Sequence, residues 1–417
     1  MKIMNSPESK SLDGKITEEW VFRRSMLAGA IGLSILWGAG IRAATAETME
    51  AAVERLGIQK SLSKDIPAWV TKLPSFGTIE WTVKTLPFVS QGPRGGISGA
   101  GMVAIDGQIY LMGGFIPAGD ETGDSPTGRT SRWTHRYDPK SDRWTRLPDM
   151  PGRREYLRAI AAGTKIYALG GGLQENPRPL YSAAADVFCL SLDRKPMGWE
   201  AAGKLTVPRT HMAVGAIGQY LVVAGGNHYD FGQGGYSQHT FLGSAEVLDL
   251  AKPDQGWVQR SAMPGQRRGW AASAVLGERL YVLGGITITD KTWERIQETL
   301  CYEPATDQWT RRTDPPAAIS GWSGGTYQNR YVIVVGGVVG NGTWNDLPFA
   351  YDAKEDRWLK IESPMPPGAL FNDSSVCIIE NTIYVLGGEG PHGSHFNHFL
   401  VGRIKNVPAM SPSSHQP

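Results

Sequence analysis

The chain has 417 residues with Lys+Arg 42 against Asp+Glu 40, a formal net charge of +2. So even a balance, with no basic stripe, argues against a nucleic-acid binder that must neutralise many phosphates. Gly 52, Pro 27 and Trp 14 fit many short strands joined by tight turns, and Cys 3 is too few for a disulfide framework.

The first segment reads as an export signal. Arg23-Arg24 precedes an apolar run from Met26 to Ile41, broken by Gly29, Gly32, Gly38 and Gly40, and Ala44-Thr45-Ala46 follows. Basic, apolar, then small-x-small predicts cleavage after Ala46, and the paired arginines resemble the twin-arginine type that carries folded proteins across the bacterial inner membrane. The alternative is a retained anchor, although 16 apolar residues are short for a span. The expected location is the periplasm or the exterior, with no stable membrane insertion after cleavage. Residues 47–77 read as a surface helix, with Met49, Val53 and Leu56 on one side, and a linker.

From there one unit repeats. Ile109-Tyr110-Leu111-Met112-Gly113-Gly114 returns with its diglycine at Gly170-Gly171, Gly225-Gly226, Gly284-Gly285, Gly336-Gly337 and Gly387-Gly388, the first glycines 57, 55, 59, 52 and 51 residues apart. A period near 50 residues is that of a propeller. In the first copy Ile97–Ile105 is a small, apolar strand, Asp106-Gly107 a hairpin turn and Gln108–Met112 the second strand. Trp133–Tyr137 is the third, and Asp138–Asp142 turns the chain into a fourth starting at Trp144, with equivalents at Trp199, Trp257, Trp309 and Trp358. The sixth copy has Phe396–Val401 as third strand and no fourth. Thr78-Ile79-Glu80-Trp81-Thr82-Val83 supplies the missing one, which predicts a ring closed by an N-terminal strand and free of open edges. Residues 404–417 are expected to be a disordered tail. Cys189, Cys301 and Cys377 sit in apolar strands and read as buried thiols.

Diglycine after an apolar strand, then Tyr137-Asp138-Pro139 with Trp144, Tyr302-Glu303-Pro304 with Trp309, and Tyr351-Asp352 with Trp358, resembles the Kelch repeat family; Leu192-Asp193 and Leu248-Asp249 replace the motif in two copies. Over residues 78–403 the resemblance implies an all-β, six-bladed Kelch β-propeller with four-stranded antiparallel blades. It leaves function open, because Kelch propellers include eukaryotic adaptors, copper radical oxidases and exported bacterial sialic acid mutarotases.

Loops entering each first strand and leaving each second strand emerge on one face. Counting 16 residues back from each first glycine gives Ile97, Arg154, Arg209, Arg268, Ser320 and Phe371, with Arg153 and Arg267 doubling two arginines. Counting 14 back gives Gly99, Tyr156, His211, Trp270, Trp322 and Asp373. The arginines are candidates to hold a carboxylate, with Tyr156, Trp270 or Trp322 stacking on a sugar face, or else they bond loop carbonyls and neighbouring acids. His228, His239, His392, His395 and His398 cluster in two loops as polar pore-lining groups, with His228 and His392 as candidate ligand contacts. His-x-x-His spacing permits metal, but no acidic or cysteine ligand lies near in sequence, so no metal is expected. Asp120–Asp124 lacks calcium-loop spacing, no phosphate loop follows Gly170-Gly171-Gly172, and no catalytic triad or cofactor motif is legible.

The mutarotase resemblance implies cofactor-free acid/base chemistry on an acidic sugar, with His211 exchanging protons near neutral pH and Asp373 or Glu155 as partner. The alternatives are a non-catalytic module binding a periplasmic protein or a glycan, and a metal-dependent oxidase. A monomer is expected in each case.

Overall fold

In the computed structural model residues 60–89, 95–116, 130–175, 180–231, 237–340, 342–391 and 394–407 are described. The export segment with Ala46, the expected helix at Met49–Leu56, His392 and residues 408–417 lie outside them.

The architecture is all-β, built from four-stranded antiparallel sheets. In the first copy Gly101–Ile105, Gln108–Met112, Thr134–Asp138 and Arg143–Leu147 pair in sequence order. The first strand alternates between buried and half-buried residues, whereas four of five second-strand residues are buried. Small, alternating side chains therefore suit the innermost strand, and a continuous apolar run suits the strand behind it. The same four-strand order recurs in the next three copies. Each first strand packs against the first strand of the following sheet, and Ser375–Ile379 of the last copy packs against Gly101–Ile105. This arrangement fits a β-propeller.

The strand borrowed from the start of the fold is Ser75–Thr85. It pairs antiparallel with His398–Lys405, with Trp81 opposite Gly402, and that strand pairs with Thr382–Leu386 immediately before Gly387. Ser75 and Gly77 also pair in parallel with Lys360 and Ile361, so one strand ties the fifth sheet to the sixth. It begins three residues earlier than the sequence pattern indicates, and the last strand is His398–Lys405 where the pattern indicates Phe396–Val401. Ahead of it, Leu62 donates to the Trp344 carbonyl at 3.0 Å and Ser63 donates twice to Asp346, fixing residues 60–73 on the fifth sheet beside a short helix, Ala68–Thr71.

The repeat residues join sheets. Trp309 and Trp358 donate their indole N–H to Ser261 and Thr313 carbonyls of the preceding sheet at 2.9 and 3.1 Å, and Trp199 reaches Pro148 in the same way. Gly170 has φ +53, and a Cβ there would lie 2.5 Å from the Arg209 carbonyl oxygen, which accepts the Gly171 N–H at 2.9 Å. Only glycine permits this approach of one sheet's turn to the next. The three cysteines are free and buried.

Two features depart from the sequence expectations. Gly172–Glu175, Leu180–Ala183, Asn227–Phe231 and Ser237–Phe241, expected as irregular loops, form one further four-stranded sheet, and Ile286–Thr289 with Thr292–Arg295 forms a hairpin. The fifth sheet's first hairpin has a three-residue turn, Gln328-Asn329-Arg330, where the first has two, Asp106-Gly107. One extra residue displaces a count made backwards from the glycines.

Candidate functional site

Six residues with left-handed φ, one from each copy, gather where the chain enters the first strands. They are Gly99 (59°), Tyr156 (51°), His211 (49°), Trp270 (52°), Gly321 (71°) and Asp373 (49°). Backbone hydrogen bonds link neighbours: Gly99 donates to Asp373, Asp373 to Gly321, Gly321 to Trp270, Trp270 to His211 and His211 to Tyr156, all between 2.8 and 3.2 Å. A bulky residue at positive φ is strained, by about 1–2 kcal/mol, and such strain clusters at functional sites. The fifth member is Gly321, not Trp322. Because of the longer hairpin, Trp322 falls one place further on, is buried, donates to the Leu283 carbonyl at 2.9 Å and stacks on Trp358. It belongs to the packing between sheets.

The side chains at these positions form one assembly. The His211 ring lies between Tyr156, 4.3 Å away, and Trp270, 3.7 Å away, nearly parallel to both. Its Nδ1 meets Thr210 Oγ1 at 2.9 Å, and its Nε2 faces Asp373 Oδ1 at 3.7 Å. The Trp270 indole N–H donates to Asp373 Oδ2 at 3.0 Å. Glu389 follows Gly387-Gly388 directly, pairs through its backbone with Asn372, the residue before Asp373, and brings its carboxylate 3.5 Å from the Tyr156 hydroxyl.

Burial sets the protonation of this assembly. His211 is 2% exposed, and burial, reinforced by Arg158 and His239, holds its imidazole well below its usual pKa and therefore neutral. The near-neutral titration expected of His211 falls instead to the carboxyls. Burial pushes Asp373 up to about 6, opposed by Arg158 and the Trp270 N–H. Glu389 keeps part of its surface open, yet the surrounding protein and the Asp373 charge push it up to about 7. Tyr156 is raised well above the phenol range by burial and by Glu389, Glu155 and Asp373. Glu155 is fully buried beside this group, its backbone paired with Gly172.

The arginines do not line this end. Arg154, Arg209 and Arg268 are 5%, 0% and 1% exposed. Arg154 pairs with Asp186 at 2.7 Å; Arg209 pairs with Glu246 and donates to the Gly225 and Ser244 carbonyls; Arg268 pairs with Glu298. Each ties its loop to the third-strand side of its own sheet, the bonding to loop carbonyls and neighbouring acids that was the alternative to holding a ligand. Arg153 donates to the Thr130 carbonyl at 3.0 Å and Arg267 is exposed. His228 donates through Nδ1 to the Pro208 carbonyl at 3.0 Å.

Three residues that sequence counting passed over belong here: Glu389, Arg158 and Trp293. Arg158 opens the strand Arg158–Ala162, two residues after Tyr156, and acts electrostatically on both Asp373 and His211. Trp293, on the added hairpin, packs edge-on to Trp270 at 6.1 Å, Phe241 at 5.7 Å and His239 at 5.2 Å. Among the described residues no three His, Cys, Asp or Glu side chains gather in a geometry able to hold a metal ion, and no helix is long and apolar enough to cross a membrane.

Comparison with known proteins supports the repeat. A Kelch motif model matches residues 97–151, and an N-acetylneuraminate epimerase model matches residues 232–347. The chain is 28% identical to the Kelch-like protein terF of Aspergillus terreus over 58% of this chain and 50% of that protein. It is 29% identical to human Kelch-like protein 34 over 62% and 38%, and 25% identical to Kelch-like protein 15 of Danio rerio over 65% and 44%. The chain thus aligns with half or less of the length of these relatives. With the repeated sheets, diglycines and outer-strand tryptophans, these matches support a Kelch-repeat family for the chain.

Proposed function

We propose that this chain is an exported, closed six-bladed Kelch propeller that binds a small carbohydrate at the loop end of its channel and interconverts its anomers by proton transfer. The reading of a closed ring draws on the cyclic packing of the six first strands and on Ser75–Thr85 completing the sixth sheet.

The observation that carries the chemistry is Asp373, raised to about 6, facing neutral His211 within the Tyr156–Trp270 stack. A carboxyl with a pKa near the working pH is suited to take up and return a proton. Asp373 accepts the anomeric hydroxyl proton as the bond between anomeric carbon and ring oxygen breaks, and the ring oxygen takes a proton from a water whose hydroxide recovers it on ring closure. The open form rotates and closes by the reverse steps. Flat aromatic faces at Tyr156 and Trp270 suit the apolar face of a sugar ring. The match to an N-acetylneuraminate epimerase model over residues 232–347 points to the same reaction class.

The acidic ligand expected from the sequence loses its main ground, because Arg154, Arg209 and Arg268 are engaged in the scaffold. Exchange between anomeric proton signals in NMR tests the activity: the wild type accelerates exchange for at least one sugar, and Asp373→Asn lowers the rate by about 100-fold. Uncatalysed exchange with every sugar, together with capture of a protein partner, would favour the second reading, an interaction module, to which the Kelch repeats themselves point. Export by the Arg23-Arg24 segment predicts periplasmic recovery of a chain beginning at Glu47, read by N-terminal sequencing.

A further inference from the structure

We infer that Thr210 is a positioning residue for the reaction: it holds His211 in the tautomer with its hydrogen on Nδ1, so that the bare Nε2 accepts a hydrogen bond from Asp373 whenever that carboxyl carries a proton. The inference rests on Asp373 as the base in the carbohydrate reading above and adds what sets its hold on the proton.

The Thr210 hydroxyl fixes the tautomer. Thr210 and Asn227, both fully buried, exchange two backbone hydrogen bonds of 2.9 Å. Thr210 Oγ1 lies 3.2 Å from the same Asn227 carbonyl oxygen and 2.9 Å from His211 Nδ1, and it also bonds the Tyr229 hydroxyl. A hydroxyl has one hydrogen and two lone pairs, and a carbonyl can only accept, so the hydrogen goes to Asn227. The lone pairs then receive the Tyr229 O–H, which burial keeps on its oxygen, and the His211 Nδ1–H. Burial holds the His211 ring neutral, with one hydrogen to place, so Nε2 has none.

Nε2 is the second observation. It is more than nine-tenths buried, has no hydrogen-bond partner among the described residues and stands 3.7 Å from Asp373 Oδ1. An N–H at that place would close on the carboxylate, whereas a lone pair facing an ionised oxygen stays away from it. Asp373 Oδ2 receives the Trp270 N–H at 3.0 Å, which leaves Oδ1, the oxygen facing Nε2, to carry the proton. A bond donated by the protonated carboxyl favours that form, and one donated to the carboxylate by the ring would favour the ionised form. The tautomer therefore decides the sign.

The other groups around the pair do not supply this bond. Arg158 and the Trp270 N–H both favour the ionised form of Asp373. Glu389 is pushed up by burial and by the Asp373 charge, and Tyr156 and Tyr229 stay protonated beside Glu155 and Asp373. His239, which acts on His211, is held near 4 by burial and is uncharged at neutral pH.

NMR of the full chain with nitrogen-labelled histidine and carboxyl-labelled aspartate tests the inference, with His211→Asn and Asp373→Asn assigning the signals. The wild type should show the His211 hydrogen on Nδ1. Thr210→Val, or Thr210→Ala if valine lowers the melting temperature, leaves Nδ1–H without an acceptor and should move the hydrogen to Nε2, where Asp373 receives it. The Asp373 titration should then fall from about 6 towards the ordinary carboxylate range. In anomer exchange, kcat at neutral pH should drop about tenfold with KM unchanged and the acid limb moved downward, and Thr210→Ser should restore all three. A wild-type hydrogen on Nε2, a hydrogen that stays on Nδ1 without the Thr210 hydroxyl, or an Asp373 titration that does not fall would each overturn the inference and leave the carbohydrate reading standing. The expected tautomer and titration in a protein that turns over no sugar would support the Thr210 assignment and remove the carbohydrate reading.

Discussion

Two rings of side chains, two residues apart in sequence, have opposite fates in this protein. Arg154, Arg209 and Arg268 turn back into their own sheets and end in ion pairs, fully buried at Arg209–Glu246, whereas Tyr156, His211, Trp270 and Asp373, at positive φ, are brought together at one end of the first strands. The comparison teaches that direction follows from backbone conformation as much as from residue type. The left-handed residue comes two places after each arginine, and it is the side chain on that residue that joins the assembly. Charge alone favours the arginines, and in the structure Arg154, Arg209 and Arg268 are each engaged with an acid of their own sheet.

The largest expected effect breaks the scaffold ring. Removing one partner of a fully buried pair leaves an uncompensated charge, so Arg209→Ala should cost about 3–5 kcal/mol in denaturant unfolding, while exposed Arg267→Ala should stay within about 0.5 kcal/mol. Equal, small effects would return Arg209 to the list of ligand contacts. Deleting Ser75–Thr85 sharpens the same contrast: the chain should lose its cooperative unfolding transition, because the fifth and sixth sheets are joined through that strand.

The next effect belongs to the second ring and is read from pH. Asp373 and Glu389 have folded-state pKa values of about 6 and about 7, above their unfolded values. The folded state therefore holds protons that the unfolded state has released. Their contribution to stability is present below about pH 4 and is lost as pH rises towards 7. Melting temperature should fall across that window, and the double variant Asp373→Asn, Glu389→Gln should flatten the fall. A wild-type curve that rises between pH 4 and 7 with these two groups as its source would contradict the assignment.

The smallest effect isolates one contact. Trp270→Phe keeps a ring against His211 but removes the N–H that lowers the Asp373 pKa, at a cost of about 0.5–1.5 kcal/mol. Asp373 then stays protonated to higher pH, and the acid limb of the rate profile should move upward from about 6. A limb that stays in place would mean that Asp373 is not the titrating base.

Much of the architecture was legible because the repeat writes steric necessities into the sequence. The diglycines mark turns where a neighbouring carbonyl leaves no room for Cβ, as at Gly170, and the tryptophans mark outer strands that bond back to the preceding sheet, as at Trp309 and Trp358. Trp81 was placeable by the same logic. The site was legible in part: equal spacing located Tyr156, His211, Trp270 and Asp373, because one geometry recurs at equal distance from each diglycine. It failed at Trp322, where the three-residue turn at Gln328-Asn329-Arg330 adds a residue and Gly321 takes the position. It left the role of the arginines open between ligand and neighbouring acid, since spacing gives position and not the acid each side chain meets across its sheet. Glu389 had a signal that counting passed over: a carboxylate directly after a diglycine, where the other copies carry Phe115, Gly172, Asn227, Ile286 and Val338.

The claim on which the account depends is that the left-handed ring, and not the arginine ring, meets the ligand. A crystal structure of the protein soaked with glucose, glucosamine and glucuronate in turn tests it most directly. The account predicts a sugar ring lying against Trp270 or Tyr156 with polar contacts to Asp373 and Glu389; a sugar held by Arg267 or at the opposite end of the first strands, with the Tyr156–His211–Trp270 stack left untouched, would contradict it.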